Sequence, residues 1–285
     1  MPVLVNEVVE LLRAAEGGIF FDGTVGLGGH SAAVLEAAPG NFLYGTDRDI
    51  EALELTRERL AGFSGRYEFF KADFREIESL PIEIGKIDGF LFDLGVSSFQ
   101  LDEPGRGFSY SQSAPLDMRM DKEQSLTACE VVNSYSYREL CEILKKYGEI
   151  GGPVKIVEQI VFHRKNKRIE SSADLKEIVR RIYPRKRTMD PLSRVFQALR
   201  IEVNRELAGL EDFFIELFPK MKTGARIVII SFHSLEDRIA KNALRKGKEA
   251  GLIEILTKKP ITASEVEKAE NARSRSAKLR GGRKC

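Results

Sequence analysis

The amino-acid sequence predicts an α/β fold, a parallel sheet interrupted by an all-helical insertion. Three observations carry this. Short apolar runs alternate with amphipathic stretches through the first hundred residues, the rhythm of strand–helix–strand units. From Leu101 to Ala208 only helical periodicity remains. The strand pattern then returns at "ARIVIISF" (225–232), which needs a sheet to join. We therefore divide the chain into one discontinuous domain, residues 1–100 with 209–285, and an inserted helical domain, residues 101–208.

Each element follows from local pattern. "VNEVVELLRAA" (5–15) has helical spacing, "IFFD" (19–22) is a short buried strand, and "HSAAVLEAA" (30–38) is the helix after it. "FLYGTD" (42–47) is a second strand. "DIEALELTRERLA" (49–61) is an amphipathic helix with Asp49 as its N-cap. "RYEFFKAD" (66–73) and "IDGFLFD" (87–93) complete the first set of strands. In the insertion, "SYRELCEILKKYG" (136–148), "PVKIVEQIVFHRKN" (153–166) and "SADLKEIVRRIY" (172–183) are helices. "DPLSRVFQALRIEVNREL" (190–207) is another, opened by Asp190 as N-cap and Pro191 at the first helical position. After the strand 225–232 come a capped helix, "SLEDRIAKNALRKG" (234–247), and a strand, "LIEILT" (252–257).

Composition sets the class. The chain has 285 residues, 42% hydrophobic and 31% charged, with a net charge of only +2, so a large core is available and the molecule as a whole is no polycation. Its three cysteines, Cys129, Cys141 and Cys285, are widely spaced, which suits a reducing cytoplasm better than a disulfide framework. The N-terminal residues lack the pattern of a signal peptide, and no apolar run is long enough for a membrane span.

Ligands of parallel sheets lie beyond the carboxyl ends of the strands. Those ends are Asp22 with the glycines of "DGTVGLGGHS" (22–31), Asp47, Asp73 with Phe74, and Asp93. No Lys follows the glycines, so the loop is not a P-loop, and counting from Gly26 puts Ser31 where a dinucleotide fingerprint needs its third glycine. Asp47 lies where an acid accepts hydrogen bonds from ribose hydroxyls in this topology. A ribose-binding acid without a pyrophosphate loop fits a phosphate-free nucleoside such as S-adenosylmethionine. The plainer alternative is a tight turn, with Asp47 as a helix cap. Asp93, at the end of "DGFLFD", could accept a hydrogen bond from a target amine, or be bonded to the turn "GVSS" that follows. Phe74 could pack on an adenine ring or belong to the core. His30, His163 and His233 lie far apart, outside any metal-binding pattern, so no metal is expected. "SFHSLEDR" (231–238) either faces the cleft or is a satisfied loop with Ser234 as helix cap.

The insertion carries a net excess of four basic residues. They cluster at "HRKNKR" (163–168) and "RRIYPRKR" (180–187), and the tail "RSRSAKLRGGRK" (273–284) is basic as well. Such clusters can be solvated faces. Three of them free of acidic residues are better read as a footprint for a phosphate backbone.

Taken together, "DGTVGLGGHS", "GTDRD", "GKIDGFLFDLGVSS", "RGFSY", "PLDMRMD", "FQALRIEVNREL", "ISFHSLEDR" and "ARSRSAKLR" resemble the bacterial 16S rRNA cytosine-N4 methyltransferases, the RsmH or MraW family, nearly end to end. The resemblance implies a Rossmann-like S-adenosylmethionine-dependent methyltransferase sheet with an inserted helical domain for rRNA recognition. It implies methyl transfer to N4 of a cytidine in the decoding region of the small ribosomal subunit. The family's cofactor contacts match Gly28, Gly29, His30, Asp47, Phe74, Asp93 and Gln100, with Asp93 also the catalytic candidate. A cytoplasmic enzyme is expected, and a homodimer is left open. Four departures stand out: the start at Met1-Pro2 without the family's preceding His, residues 148–161 in place of an Arg-rich stretch, Phe99 for a common Pro, and Ala272 for another. The rival readings are an RNA-binding assembly factor with a vestigial nucleoside pocket, a DNA amino-methyltransferase lacking its "DPPY", and an NAD-dependent dehydrogenase.

Overall fold

The computed structural model describes residues 2–183 and 190–285. Residues 184–187 of the second basic cluster lie outside the described residues. The chain divides into two compact units, Met1–Gly95 with Gly209–Cys285, and Val96–Ala208.

The first unit is built on seven strands: β1 (Ile19–Asp22), β2 (Phe42–Asp47), β3 (Tyr67–Lys71), β4 (Gly89–Asp93), β5 (Arg226–Ser231), β6 (Ile253–Ile255) and β7 (Lys278–Lys284). Their spatial order is β3-β2-β1-β4-β5-β7-β6. Strands β1 to β5 pair in parallel, and β7 runs antiparallel to both β5 and β6. The central strands are continuous apolar runs because helices cover both faces of such a sheet. Phe20, Phe21, Phe90, Phe92 and Ile227 to Ile230 are all buried, each worth about 1.5–3 kcal/mol of transfer free energy. Helices α1 (Val5–Leu12), α2 (Gly29–Ala37) and α3 (Ile50–Arg59) accompany the first strands. Asp49 caps α3, accepting from the Glu51 amide.

The second unit is helical: α4 (Ser98–Asp102), α5 (Ala128–Ser134), α6 (Tyr137–Lys146), α7 (Val154–Asn166), α8 (Ser172–Ile182) and α9 (Pro191–Asn204). Among its described residues the only strand-like feature is an isolated bridge between Pro115 and Ser171. Ser136 and Ser171 open α6 and α8 with reciprocal capping boxes to Glu139 and Asp174. Leu140, Ile143, Ile156, Ile160, Leu175 and Val195 belong to one apolar core. The helices α10 (Leu210–Leu217), α11 (Ser234–Glu249) and α12 (Glu265–Glu270) return the chain to the first unit.

Two expectations are corrected. The tail read as a basic patch contains β7, whose residues Leu279 to Gly282 are buried. Three of its charges are paired within the fold: Lys278 and Arg280 both with Asp237 of α11, and Arg283 with Glu254 of β6. Glycine is required at Gly282, where a Cβ would sit 2.9 Å from Ile253 and Leu244. The cap of α11 is His233, in a capping box with Glu236, rather than Ser234.

Candidate active site

The strand order reverses between β1 and β4, which lie side by side while their connections leave in opposite directions. A crevice opens at such a switch point, beyond the carboxyl ends of the strands. Asp22 ends β1, Asp47 ends β2 and Asp93 ends β4, so the sheet delivers three carboxylates to one edge.

The glycine loop between β1 and α2 is fastened at several points. Thr24 donates its amide to Asp22 Oδ1 at 3.0 Å, and its Oγ1 accepts the Asp93 amide at 2.6 Å, tying the loop to the end of β4. The Gly26 amide donates to Asp47 Oδ2 at 2.7 Å, and Thr56 Oγ1 donates to the Gly26 carbonyl at 2.7 Å. Gly28, the N-cap of α2, has φ +69°. A Cβ there would stand 2.4 Å from Thr56 Cγ2. This glycine therefore serves the packing of α3 as well as the turn.

Asp47 is not a helix cap, since Asp49 fills that place. Its second oxygen accepts the Asp49 amide at 2.9 Å. Burial pushes its pKa up to about 6, against the two amide hydrogen bonds, which favour the ionised form. Asp22 is also raised by burial, although Ser31 Oγ donates to it at 2.8 Å.

His30 sits in the first turn of α2 and is 6% exposed. Its Nε2 lies 3.4 Å from Asp93 Oδ2, an ion-pair approach rather than an aligned hydrogen bond. Burial disfavours the imidazolium, but the carboxylates of Asp93, Asp22 and Glu267 outweigh it and hold His30 above its usual 6.5. Both ring nitrogens of His30, and Asp93 Oδ1, are buried without a hydrogen-bond partner among the described residues. Such atoms are rare in folded proteins and each costs about 1–3 kcal/mol. Three at one strand end mark a place where a polar ligand would be stabilised.

Phe74 follows β3 and is half-buried. Its ring centroid lies 5.2 Å from Phe92 and 5.2 Å from Phe213. Beside it, burial would raise Asp73, but the Arg75 fork and Arg48 hold its carboxyl below the usual range. Arg75 Nε donates to it at 2.9 Å.

A family model described as the MraW methylase family matches residues 1–285. The chain belongs to that family. It is 47% identical over 281 residues to "Ribosomal RNA small subunit methyltransferase H" of Cyanothece sp., covering 98% of this chain and 92% of the relative. It is 46% identical over 284 residues to the protein of the same name from Persephonella marina, covering 98% and 97%. The Thermotoga neapolitana relative of that name is 44% identical over 288 residues, covering 98% and 94%.

In this MraW-family methylase the structure gathers Gly28, Gly29, His30, Asp47, Phe74 and Asp93 in the first unit, and Gln100 falls in the second. Gln100 is 3% exposed, and its Oε1 accepts the Ser97 amide at 3.1 Å, closing the capping box of α4. Thr24 and Thr56 escaped the sequence reading, and Ser31 entered it only as the residue in place of a third glycine. Thr24 was legible as a polar residue inside a glycine loop. Glu267, which accepts the Leu4 amide at 2.8 Å, left no local signal.

Most of the described cations of the two insertion clusters are engaged within the fold. Arg164 donates to the Val132 and Tyr135 carbonyls at 2.8 and 2.7 Å. Lys167 pairs with Asp174, Arg168 with Glu130, Arg180 with Asp190 and Arg181 with Glu177. Among the described residues no helix is long and apolar enough to cross a membrane.

Proposed function

We propose that this chain transfers a methyl group from S-adenosylmethionine to the N4 amino group of a cytidine in the decoding region of 16S rRNA. The observation that supports it most is the convergence of Asp47, His30 and Asp93 at the β1/β4 switch point, in a chain whose relatives are named small-subunit rRNA methyltransferases. The residues fit the cofactor. An amino-acid moiety brings a carboxylate, which would suit an unpartnered His30 nitrogen. Asp47 offers a ribose two oxygens already fixed by backbone amides. Gly28 and Gly29 would let the backbone approach, and Phe74 would pack against the adenine.

When bound, S-adenosylmethionine supplies a sulfonium methyl whose C–S bond breaks, with its electron pair left on sulfur, as the N–C bond forms. The N4 lone pair is delocalised into the ring, so the amine is a poor nucleophile. Holding it in line with the donor is the larger part of the task, since positioning can supply roughly 7–11 kcal/mol of a barrier. Asp93 accepts a hydrogen bond from the amine, localises the lone pair and receives the proton that nitrogen sheds. The target base is unstacked to reach the cleft.

The test is methyl transfer from labelled S-adenosylmethionine to small subunits lacking the modification, followed by nucleoside analysis. N4-methylcytidine is the expected product. Binding of the cofactor without transfer would favour the assembly-factor reading, and transfer to DNA in preference to rRNA would favour a DNA amino-methyltransferase.

A further inference from the structure

The first turn of α2 points a buried imidazole at the end of β4. The charged groups set against His30 are Asp93 from β4, Asp22 from β1 and Glu267 from α12. A helix N-terminus is a poor place for a cation, because its exposed amides carry partial positive charge. Three carboxylates from three separate elements offset that penalty.

The carboxylates are not equivalent. Asp22 is satisfied by Ser31 and Thr24, and Glu267 holds the Leu4 amide. Among the described residues Asp93 has no hydrogen-bond partner on Oδ1, and its one ion partner is His30 at 3.4 Å. Neither nitrogen of the buried imidazole makes an aligned hydrogen bond among the described residues. The N-terminal segment closes over this turn: a Cβ on Gly29 would stand 3.0 Å from the Pro2 ring.

We propose that His30 is a positioning residue for Asp93, an imidazolium that supplies the counter-charge to this carboxylate and fixes it at the end of β4 to receive the amine. This rests on the reading of Asp93 given above and adds a residue through which Asp93 acts. With the proton on His30, the Asp93–His30 pair is neutral beside the Asp22 carboxylate. Without it, Asp93 and Asp22 repel each other, and nothing orients the one that works.

The experiment uses the cofactor-free full chain. It contains three histidines, His30, His163 and His233, so imidazole NMR resonances resolve and can be assigned by single substitutions. His30 is expected to titrate above its ordinary 6.5. In Asp93→Asn its midpoint should fall by about one unit or more. A wild-type midpoint at or below 6.5 overturns the proposal without any variant, should Asp93→Asn fail to fold. An unchanged midpoint in a folded Asp93→Asn protein overturns it too.

A kinetic arm follows single-turnover methyl transfer against pH. His30→Gln is expected to lower it by about 10- to 100-fold and to remove the alkaline limb that marks loss of the His30 proton. A variant that lowers the rate uniformly, with the limb retained, counts against the positioning role. The titration is read without cofactor or RNA, so it stands if the rRNA substrate proves wrong. Intact transfer with an uncoupled His30 overturns this proposal alone.

Discussion

Asp47 shows how one carboxylate can be costly to the fold and useful to the site. Burial raises it to about 6. An acid raised above its unfolded value favours the folded state while protonated, so this contribution is complete below about 3.8 and is lost as pH rises through about 6. Ribose hydroxyls that donate to Asp47 reverse the preference, because they need the ionised form. Cofactor affinity should therefore be level above pH 6 and fall by up to about tenfold per unit below it, as isothermal titration would read. Asp47→Asn should weaken binding by at least about tenfold and flatten this dependence. A wild-type affinity that does not change between pH 5 and 7 would remove Asp47 from the ribose. For Asp93→Ala, the expected result is loss of methyl transfer; a single-turnover rate retained at saturating cofactor would end its catalytic role. Asp47 and Asp93 were legible in the sequence because each closes an apolar strand. The partners that organise them were less so: Thr24 and Thr56 act through single hydroxyls whose targets are set by tertiary contact.

At the scale of elements, Gly28 joins the loop after β1 to helix α3. Gly28→Ala adds a methyl 2.4 Å from Thr56 Cγ2, at φ +69°. Overpacking and a strained backbone together should cost about 2–4 kcal/mol in denaturant unfolding. Adding Thr56→Ser removes the clashing methyl but keeps the hydroxyl that holds the Gly26 carbonyl. The double variant should recover about half of the loss; no recovery would mean that backbone strain alone decides the position. The parallel strands were readable because "IFFD" and "FLYGTD" are apolar runs with acidic ends. Strand β7 was not, because "KLRGGRK" has one large apolar residue. Its place depends on Asp237 and Glu254 neutralising its charges and on glycines admitting Ile253 and Leu244. No periodicity scan reports such partners.

For the whole molecule, counting cations in the sequence overstates what RNA can meet. Arg164 closes the carboxyl end of α5 by donating to two carbonyls, so Arg164→Ala should cost about 2 kcal/mol of stability. Its neighbour Lys165 is exposed and in no ion pair among the described residues. Lys165→Ala should leave the melting temperature unchanged and, if it meets a phosphate, flatten the salt dependence of RNA affinity by about one unit of log–log slope. An unchanged slope would take it out of the interface. The two-unit division itself has a readable cause: helical spacing replaces strand spacing along the inserted stretch, and each unit keeps its own apolar core. The position of β7 carries one more consequence. It lies between β5 and β6, and β6 pairs with nothing else in the sheet. On a chain made from its N-terminus, β6 therefore emerges before it has a neighbour, and β5 shows a bare apolar edge until residues 278–284 leave the exit tunnel. The nascent protein passes through a period when it is open to edge-to-edge pairing, and β7, made after both of its neighbours, is the strand that ends that exposure.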